Sequence, residues 1–98
     1  STLHLAAVFA CNFTNHLLTI AHDLTTAQQL EFDLLRPIIR ETIQKGLSVD
    51  NPADVQTGPA RRGDLSTIER HLAQLENAPQ LAEIYQLITK NIIQRYRK

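Results

Sequence analysis

The sequence has no Met, no Trp and a single Cys among its 98 residues, and only 5% of its residues are aromatic. Cys11 has no partner for an internal disulfide, so nothing in the cysteine content requires an oxidising, secreted environment. The absence of any Met, an initiator included, predicts that this chain is a piece of a longer polypeptide. Part of the function is therefore expected to lie outside these residues.

Neither sign of charge is in excess, since 10 Lys and Arg balance 10 Asp and Glu. This balance argues against nucleic-acid binding, which depends on uncompensated cations. His, Asn or Thr interrupts the longest apolar stretches well before the length of a membrane span, and no basic lead-in marks a signal peptide. We therefore expect no nucleic acid and no membrane as partners, and a cytoplasmic location.

Alternating strand patterns are also missing, whereas apolar residues recur at steps of three and four. The fold class predicted is all-α: one compact domain over residues 1–98 with four main helices. The first helix should run from about Thr2 to about Leu24 or one turn further. Asp33 should cap the second, which is predicted to reach Lys45 and to end at a left-handed Gly46.

The second half of the chain begins with a connection predicted over residues 47–63, in which Asn51 can start one short helical turn with the proline that follows. The third helix should start at Asp64 or Ser66 and reach about Glu76. Two caps are possible for it, Asp64 itself or a capping box from Ser66 to the glutamate three residues later. The last helix is predicted from residue 79 to the end of the chain.

Polar side chains form the most informative pattern of the first helix. On a regular helix they would share one side: His4, Cys11, Asn12, Asn15 and His22. The other sides are mostly apolar, which is typical of a central helix. The stripe can line a substrate cleft, or it can belong to a buried hydrogen-bond network or to an exposed surface.

A second polar segment, residues 56–64, combines a Gly-Pro turn with two adjacent arginines. Arg62 could bind a carboxylate or phosphate with both arms of its guanidinium. It could equally pair with Asp54 or Asp64 and hold the loop, and turn and cap chemistry explain most of the segment. The spacing of His and Cys residues predicts no metal site, and the chain has no phosphate loop and no G-x-G-x-x-G motif.

Two motifs, residues 4–16 (HLAAVFACNFTNH) and residues 56–64 (QTGP followed by RGD), carry a resemblance to a known family, and residues 32–37 (FDLLRP) fit it as well. The chain resembles the uncharacterised C-terminal domain that follows a Rossmann-like domain in bacterial proteins classed as NAD(P)-dependent oxidoreductases. The resemblance implies a helical domain similar to the C-terminal domains of 6-phosphogluconate dehydrogenase, ketopantoate reductase and pyrroline-5-carboxylate reductase.

What the resemblance implies for function is a domain that dimerises and closes one wall of the active-site cleft. NAD(P) would bind mainly to the Rossmann-like part of the full-length protein, so this fragment alone should bind no cofactor and be inactive. A homodimer and a small carbonyl or imine substrate are the partners implied. The alternative hypothesis is a non-catalytic helical module, in which the wide apolar face of the last helix pairs with a copy of itself.

Ketopantoate reductase offers a comparison for the site residues. There a Lys begins a helix and two Asn residues follow at steps of four. These positions correspond to His4, Val8 and Asn12 here, and only Asn12 keeps the residue type. The candidate catalytic residues are His4, Asn12 and Asn15, and the candidate substrate-binding residues are Thr57 and Arg62.

Overall fold

The computed structural model describes residues 1–97, is 80% helical and contains no strand in that range. The all-α prediction is confirmed, and the four main helices are present. A short helix lies within the predicted connection. In chain order the helices are α1 (Thr2–Ala27), α2 (Arg36–Ser48), α3 (Pro59–Arg62), α4 (Leu65–Gln74) and α5 (Pro79–Tyr96).

Contacts divide the chain into two units, Ser1–Ser48 and the residues from Val49 onward. The first unit has no buried residue. The second has two, Ala60 and Ile68, where α3 and α4 contribute to a small core. The second unit therefore has a small core of its own, whereas the first leaves many of its large apolar side chains exposed and the others only half-buried.

Helix α1 starts where the sequence predicts and ends one turn later. The Ser1 hydroxyl accepts a hydrogen bond from the backbone N–H of His4 at 3.2 Å, which satisfies one of the free amides of the first turn. The segment Val8–Phe13 is a π-helix, in which hydrogen bonds join residues five apart instead of four. Hydrophobic periodicity does not predict this wider turn.

The start of α2 corrects the prediction that Asp33 caps it. Asp33 lies inside a 3-10 turn, Phe32–Leu34, and its carboxylate accepts a hydrogen bond from Arg36 Nε at 2.6 Å. The helix itself begins at Arg36, one residue before Pro37. Since proline has no N–H, it fits best in a first turn, and the helix therefore starts after Asp33.

The end of α2 also differs from the prediction, because Gly46 does not stop the helix. Its backbone is not left-handed, and the helix continues to Ser48. The Ser48 hydroxyl donates a hydrogen bond to the carbonyl of Lys45 at 2.9 Å, so the end of the helix has a side-chain partner. An interior glycine costs only about 1 kcal/mol, which a single well-bonded turn can offset.

In the second unit, the short turn predicted at Asn51 is confirmed. Its side-chain oxygen accepts from the N–H of Ala53 at 3.0 Å and begins the 3-10 turn Pro52–Val55. Helix α3 follows and lies between two left-handed glycines, Gly58 at φ 105° and Gly63 at φ 69°. A helix of four residues is too short to show a hydrophobic periodicity, so the sequence does not predict α3.

Asp64 is the residue that caps α4, and the alternative capping box at Ser66 is wrong. The carboxylate accepts from the backbone N–H of Thr67 at 3.2 Å and from the Thr67 hydroxyl at 2.7 Å. The Ser66 hydroxyl donates to the same carboxylate at 3.1 Å instead of capping the helix itself. These hydrogen bonds, first those from Thr67, lower the pKa of Asp64, because they favour its charged form.

Helix α4 ends at Gln74, two residues earlier than predicted, and α5 begins at Pro79 as expected. The predicted end of α5 is close to the observed one at Tyr96. The last residue of the predicted helix, Lys98, lies outside the described residues.

Candidate functional site

The first group of predicted site residues lies along α1. The side chains of His4, Asn12 and Asn15 are exposed, and within residues 1–97 none of them makes a side-chain hydrogen bond. Their only polar contacts here are through the backbone: the His4 N–H bonds to Ser1, and the Asn15 carbonyl accepts from the Thr19 hydroxyl at 3.3 Å. Imidazole and amide groups therefore remain available to a ligand.

The π-helical segment corrects the single straight stripe predicted for α1. Each residue of a regular α-helix turns by about 100°, so eight residues from His4 would leave Asn12 about 80° away from it. A turn that takes in one extra residue removes much of that angle and moves Asn12 toward the side of His4. It also turns Asn15 away from that side by a similar amount. Two of the three candidates thus come closer together than a regular helix would allow.

His22, at the far end of the predicted stripe, contacts local groups. Its Nδ1 lies 3.1 Å from the Asp23 carboxylate, and its ring meets the Phe32 ring edge to face at 5.6 Å between centroids. His22 therefore helps to hold the turn after α1 and is separate from the candidate group at the other end of the helix.

The second group of predicted site residues lies in the second unit. Thr57 and Arg62 are both exposed, on either side of the Gly58 turn. Arg62 Nη2 is 3.9 Å from the Asp64 carboxylate, a long ion pair whose arginine side chain keeps 62% of its surface in solvent. The predicted alternative, pairing of Arg62 with Asp64, is therefore present, yet most of the guanidinium remains free to bind an anion.

The neighbouring arginine, Arg61, has a structural contact that the sequence does not reveal. Its guanidinium lies over the Tyr96 ring, 4.3 Å from the centroid, and the Tyr96 hydroxyl donates to the Ala53 carbonyl at 2.5 Å. Tyr96 thus ties both the 3-10 turn and α3 to the end of α5. The partners are far apart along the chain, so no periodicity could have indicated the contact.

A second tertiary pair joins α4 and α5. The Nδ1 atom of His71 lies 2.8 Å from the Tyr85 hydroxyl, and the two rings meet edge to face. Burial raises the pKa of Tyr85, because the charged phenolate would lose solvation. The sequence indicated no role for His71, and in the structure it is the hydrogen-bond partner of Tyr85.

Other groups that could bind a metal or a ligand are few in the described part of the chain. No group of three His, Cys, Asp or Glu side chains there could hold a metal ion. An open depression at the start of α5 is lined by Ala78, Pro79, Gln80 and Leu81 and contains none of the predicted site residues. The arrangement therefore offers hydrogen-bonding groups and one free guanidinium for a ligand.

The family described as domain of unknown function DUF2520 matches residues 1–92. The chain belongs to this family. The match takes in both groups of candidate residues and all of the helices except the end of α5.

A solved structure is similar to the DUF2520 chain over nearly the whole length of the DUF2520 chain. It is the crystal structure of a "putative NADP oxidoreductase" from Bacteroides fragilis, with 42% sequence identity over 95% of this chain and a TM-score of 0.89. The DUF2520 chain spans 36% of the length of that protein. No curated protein sequence matches the chain significantly.

Length and composition alone would allow α1 to cross a membrane. We had expected His, Asn and Thr to interrupt any apolar stretch of this length. One such helix is weak evidence for a span, because the core helix of a soluble protein and a signal sequence pass the same test. Amide and imidazole groups from His4 to His22 would also be costly in hydrocarbon.

Proposed function

We propose that this DUF2520 chain is the helical C-terminal domain of an NADP-dependent oxidoreductase, where it forms one wall of the active-site cleft and a dimer interface. The supporting observation is the 42% identity to the Bacteroides fragilis protein across 95% of this chain. Most of that protein's length lies outside the matched part, which leaves room for a Rossmann-like domain ahead of this one. The proposal includes a relation to the helical domains of 6-phosphogluconate dehydrogenase and its relatives, and a cytoplasmic, bacterial protein.

The proposed reaction is reduction of a small carbonyl or imine. NADPH bound by the Rossmann-like domain would supply the hydride to the substrate carbon. His4 would donate the proton to the substrate oxygen or nitrogen, a task suited to imidazole near neutral pH. The amide of Asn12 would orient the substrate beside His4, and the amide of Asn15, which faces another side of α1, would contact a more distant part of it. Neither amide is taken up by a neighbour in the described chain.

Thr57 and Arg62 are proposed contacts for an anionic group of the substrate. The guanidinium of Arg62 keeps most of its surface free, and arginine binds carboxylates with two parallel hydrogen bonds. The guanidinium of Arg61 lies over the Tyr96 ring, so we assign the anion contact to Arg62.

Turnover of NADPH by the full-length protein across a panel of carbonyl and imine compounds tests the proposal. The variant His4→Ala is expected to lower kcat by about 100-fold, in the range known for lost proton transfer. Asn12→Ala is expected to lower kcat by about 100-fold as well, because a misplaced substrate reacts more slowly. Matched controls are His16→Ala, an exposed histidine of the same helix, and Asn91→Ala, an exposed asparagine of α5. Unchanged rates in both test variants would remove these residues from the mechanism.

The alternative function, a non-catalytic helical dimerisation module, can draw on exposed apolar side chains of both α1 and α5, since Leu87 of α5 is 69% exposed. Ile92 and Tyr96 are half-buried, and Tyr96 is bonded within the second unit. In α1, by contrast, Phe9 is 63% exposed. A full-length protein that dimerises and turns over none of the panel compounds would favour this alternative.

A further inference from the structure

The two proposed anion contacts, Thr57 and Arg62, lie in one short stretch of the second unit, residues 53–62, here called the anion segment. The segment consists of most of a 3-10 turn, the left-handed Gly58 and the single helical turn of α3. Its backbone hydrogen bonds are local, like the one from the Arg62 N–H to the Gly58 carbonyl at 3.2 Å. Isolated short turns open easily, so the segment depends on contacts with the rest of its unit to keep one conformation.

One side chain of α5 contacts the anion segment at two places. The Tyr96 hydroxyl donates a hydrogen bond to the Ala53 carbonyl at 2.5 Å, and the Arg61 guanidinium lies over the Tyr96 ring, 4.3 Å from its centroid. Within residues 1–97, the bond to Ala53 is the only hydrogen bond between the anion segment and a residue outside positions 51–64. Tyr96 is therefore the polar side chain that links this segment to α5.

These two contacts hold the anion segment near both of its ends. Ala53 precedes Thr57 by four residues, and Arg61 directly precedes Arg62. The hydroxyl and the ring belong to one rigid side chain, so the size of a tyrosine sets the separation between the Ala53 carbonyl and the Arg61 guanidinium. The backbone between those two points carries Thr57 and leads directly to Arg62. Tyr96 therefore restricts how far apart the two proposed anion contacts can lie.

The contact between Arg61 and Tyr96 also restricts the direction of Arg62. Neighbouring residues of a helix point about 100° apart, so an Arg61 held against α5 turns Arg62 away from that contact. The Arg62 side chain accordingly keeps 62% of its surface in solvent. A binding group whose backbone is already held in place loses less conformational entropy when it takes a ligand, and its affinity is higher for that reason.

We propose that Tyr96 is a positioning residue for a carboxylate bound by Thr57 and Arg62. It acts through Ala53 and Arg61 and does not touch the ligand itself. The inference rests on the proposed function of Thr57 and Arg62 as anion contacts. It adds a residue that the family match, which ends at residue 92, does not include.

Kinetic constants of the full-length protein for two matched compounds test this assignment. The compounds are the 2-oxo acid with the highest kcat/KM in the panel and the methyl ester of that acid, which lacks the negative charge. Tyr96→Phe keeps the ring beneath Arg61 and removes the hydroxyl, and it should raise KM for the acid by about 3- to 10-fold, the factor expected for one net hydrogen bond. Since this binding is lost equally from the ground state and the transition state, kcat should not change. KM for the ester should also stay the same.

The matched control is Tyr85→Phe, which removes another tyrosine hydroxyl bond of the same unit, the one to His71. This variant should leave both KM values unchanged. Tyr96→Leu removes the ring contact as well and should raise KM for the acid by about 10-fold or more. Unchanged KM values in the Tyr96 variants would overturn the proposal. Equal increases in Tyr96→Phe and Tyr85→Phe would overturn it too, because they would show a general loosening of the unit.

Two measurements without turnover keep the test decisive. In hydrogen–deuterium exchange, amides of the anion segment should exchange about 3- to 10-fold faster in Tyr96→Phe than in the wild-type protein or in Tyr85→Phe. Sodium acetate, titrated against sodium chloride at equal ionic strength, should shift the NMR signal of Arg62 Nε, which is assigned by its loss in Arg62→Lys. The Kd for acetate should rise by the same factor in Tyr96→Phe. Equal exchange rates and equal acetate Kd values in wild type and Tyr96→Phe would contradict the role of Tyr96.

These outcomes are separate from those of the proposed reductase activity. A protein that reduces none of the panel compounds but shows the expected exchange rates and acetate Kd values would lose the proposed reaction and keep this inference. A reductase whose KM for the acid is unaffected by Tyr96→Phe would keep the proposed reaction and lose the role of Tyr96. The absence of any acetate response at Arg62 in the wild-type protein would overturn the anion contact itself, and this inference with it.

Discussion

The Nδ1 atom of His71 lies 2.8 Å from the hydroxyl of Tyr85, and this contact joins α4 to α5 in the second unit. It is a hydrogen bond between side chains in a region with few buried groups. The small core around Ile68 is close to the minimum a folded unit needs, so each specific tertiary contact matters to its stability.

Replacing Tyr85 with Phe should therefore lower the free energy of unfolding by about 0.5–1.5 kcal/mol, the usual net value of one hydrogen bond. The raised pKa of Tyr85 adds a pH dependence. The neutral phenol is favoured in the folded state, so its contribution is present below about pH 10 and is lost as the pH rises through the raised value.

Denaturant unfolding followed by far-UV circular dichroism measures the effect of Tyr85→Phe. A double-mutant cycle with His71→Ala isolates the pair, because the second substitution should cost less once the first is made. Strictly additive losses would show that the two side chains do not interact in solution.

The Asp64 cap of α4 predicts that the free energy of unfolding depends on pH in the acid range. The pKa of Asp64 is lowered, so the folded state binds its proton less readily than the unfolded state does. The stabilising contribution is therefore complete above the ordinary pKa of aspartate, about 4, and is lost as the pH falls through the lower folded value.

The variant Asp64→Asn keeps a side-chain oxygen that can cap the helix but has no carboxylate to protonate. Wild type should be more stable than this variant at neutral pH, and the difference should shrink as the pH drops below about 4. Unfolding titrations at several pH values provide the measurement. Parallel stability curves for the two proteins would contradict the assigned role of the carboxylate.

Replacing two glycines, Gly46 and Gly58, with alanine should change the free energy of unfolding in opposite directions. Gly46 lies inside α2 with ordinary helical backbone and open space around its Cα. Gly46→Ala should raise the free energy of unfolding by about 0.5–1 kcal/mol, because alanine loses less entropy in a helix. Gly58 has φ 105°, and Gly58→Ala should lower the free energy of unfolding by about 1–3 kcal/mol.

The midpoint of denaturant unfolding of the two glycine variants checks this pair. Apart from the glycine itself and the adjoining backbone, no atom lies within 4 Å of the added Cβ at either position, so backbone conformation separates the two sites. Equal effects of the two substitutions would mean that the Gly58 turn does not hold its left-handed conformation in solution.

Local signals in the sequence were enough to place the main helices. Apolar steps of three and four located α1 and α5, and Asn51 began its turn as predicted. The errors lie at the caps, where two local solutions compete. Asp33 pairs with Arg36 instead of capping α2, and Asp64 prevails over Ser66 at α4. Which residue caps a helix depends on which of a few competing hydrogen bonds forms, and the sequence alone allows more than one of them.

The candidate site was predicted only in part. The residue types on α1 came from the sequence, whereas the π-helical turn that moves Asn12 toward His4 did not. The different contacts of Arg61 and Arg62 could not be predicted from the sequence either, because they depend on the position of Tyr96.

The amino-acid sequence by itself determined the helical class, the family and the apolar, uncharged character of α1, because these follow from residue types and their local spacing. Only the tertiary structure decided that Ala60 and Ile68 form the small core of the second unit, that Tyr96 binds Ala53 and Arg61, and that His71 meets Tyr85. The physical reason is that burial and long-range hydrogen bonds depend on which distant residues meet, and local periodicity carries no information about that.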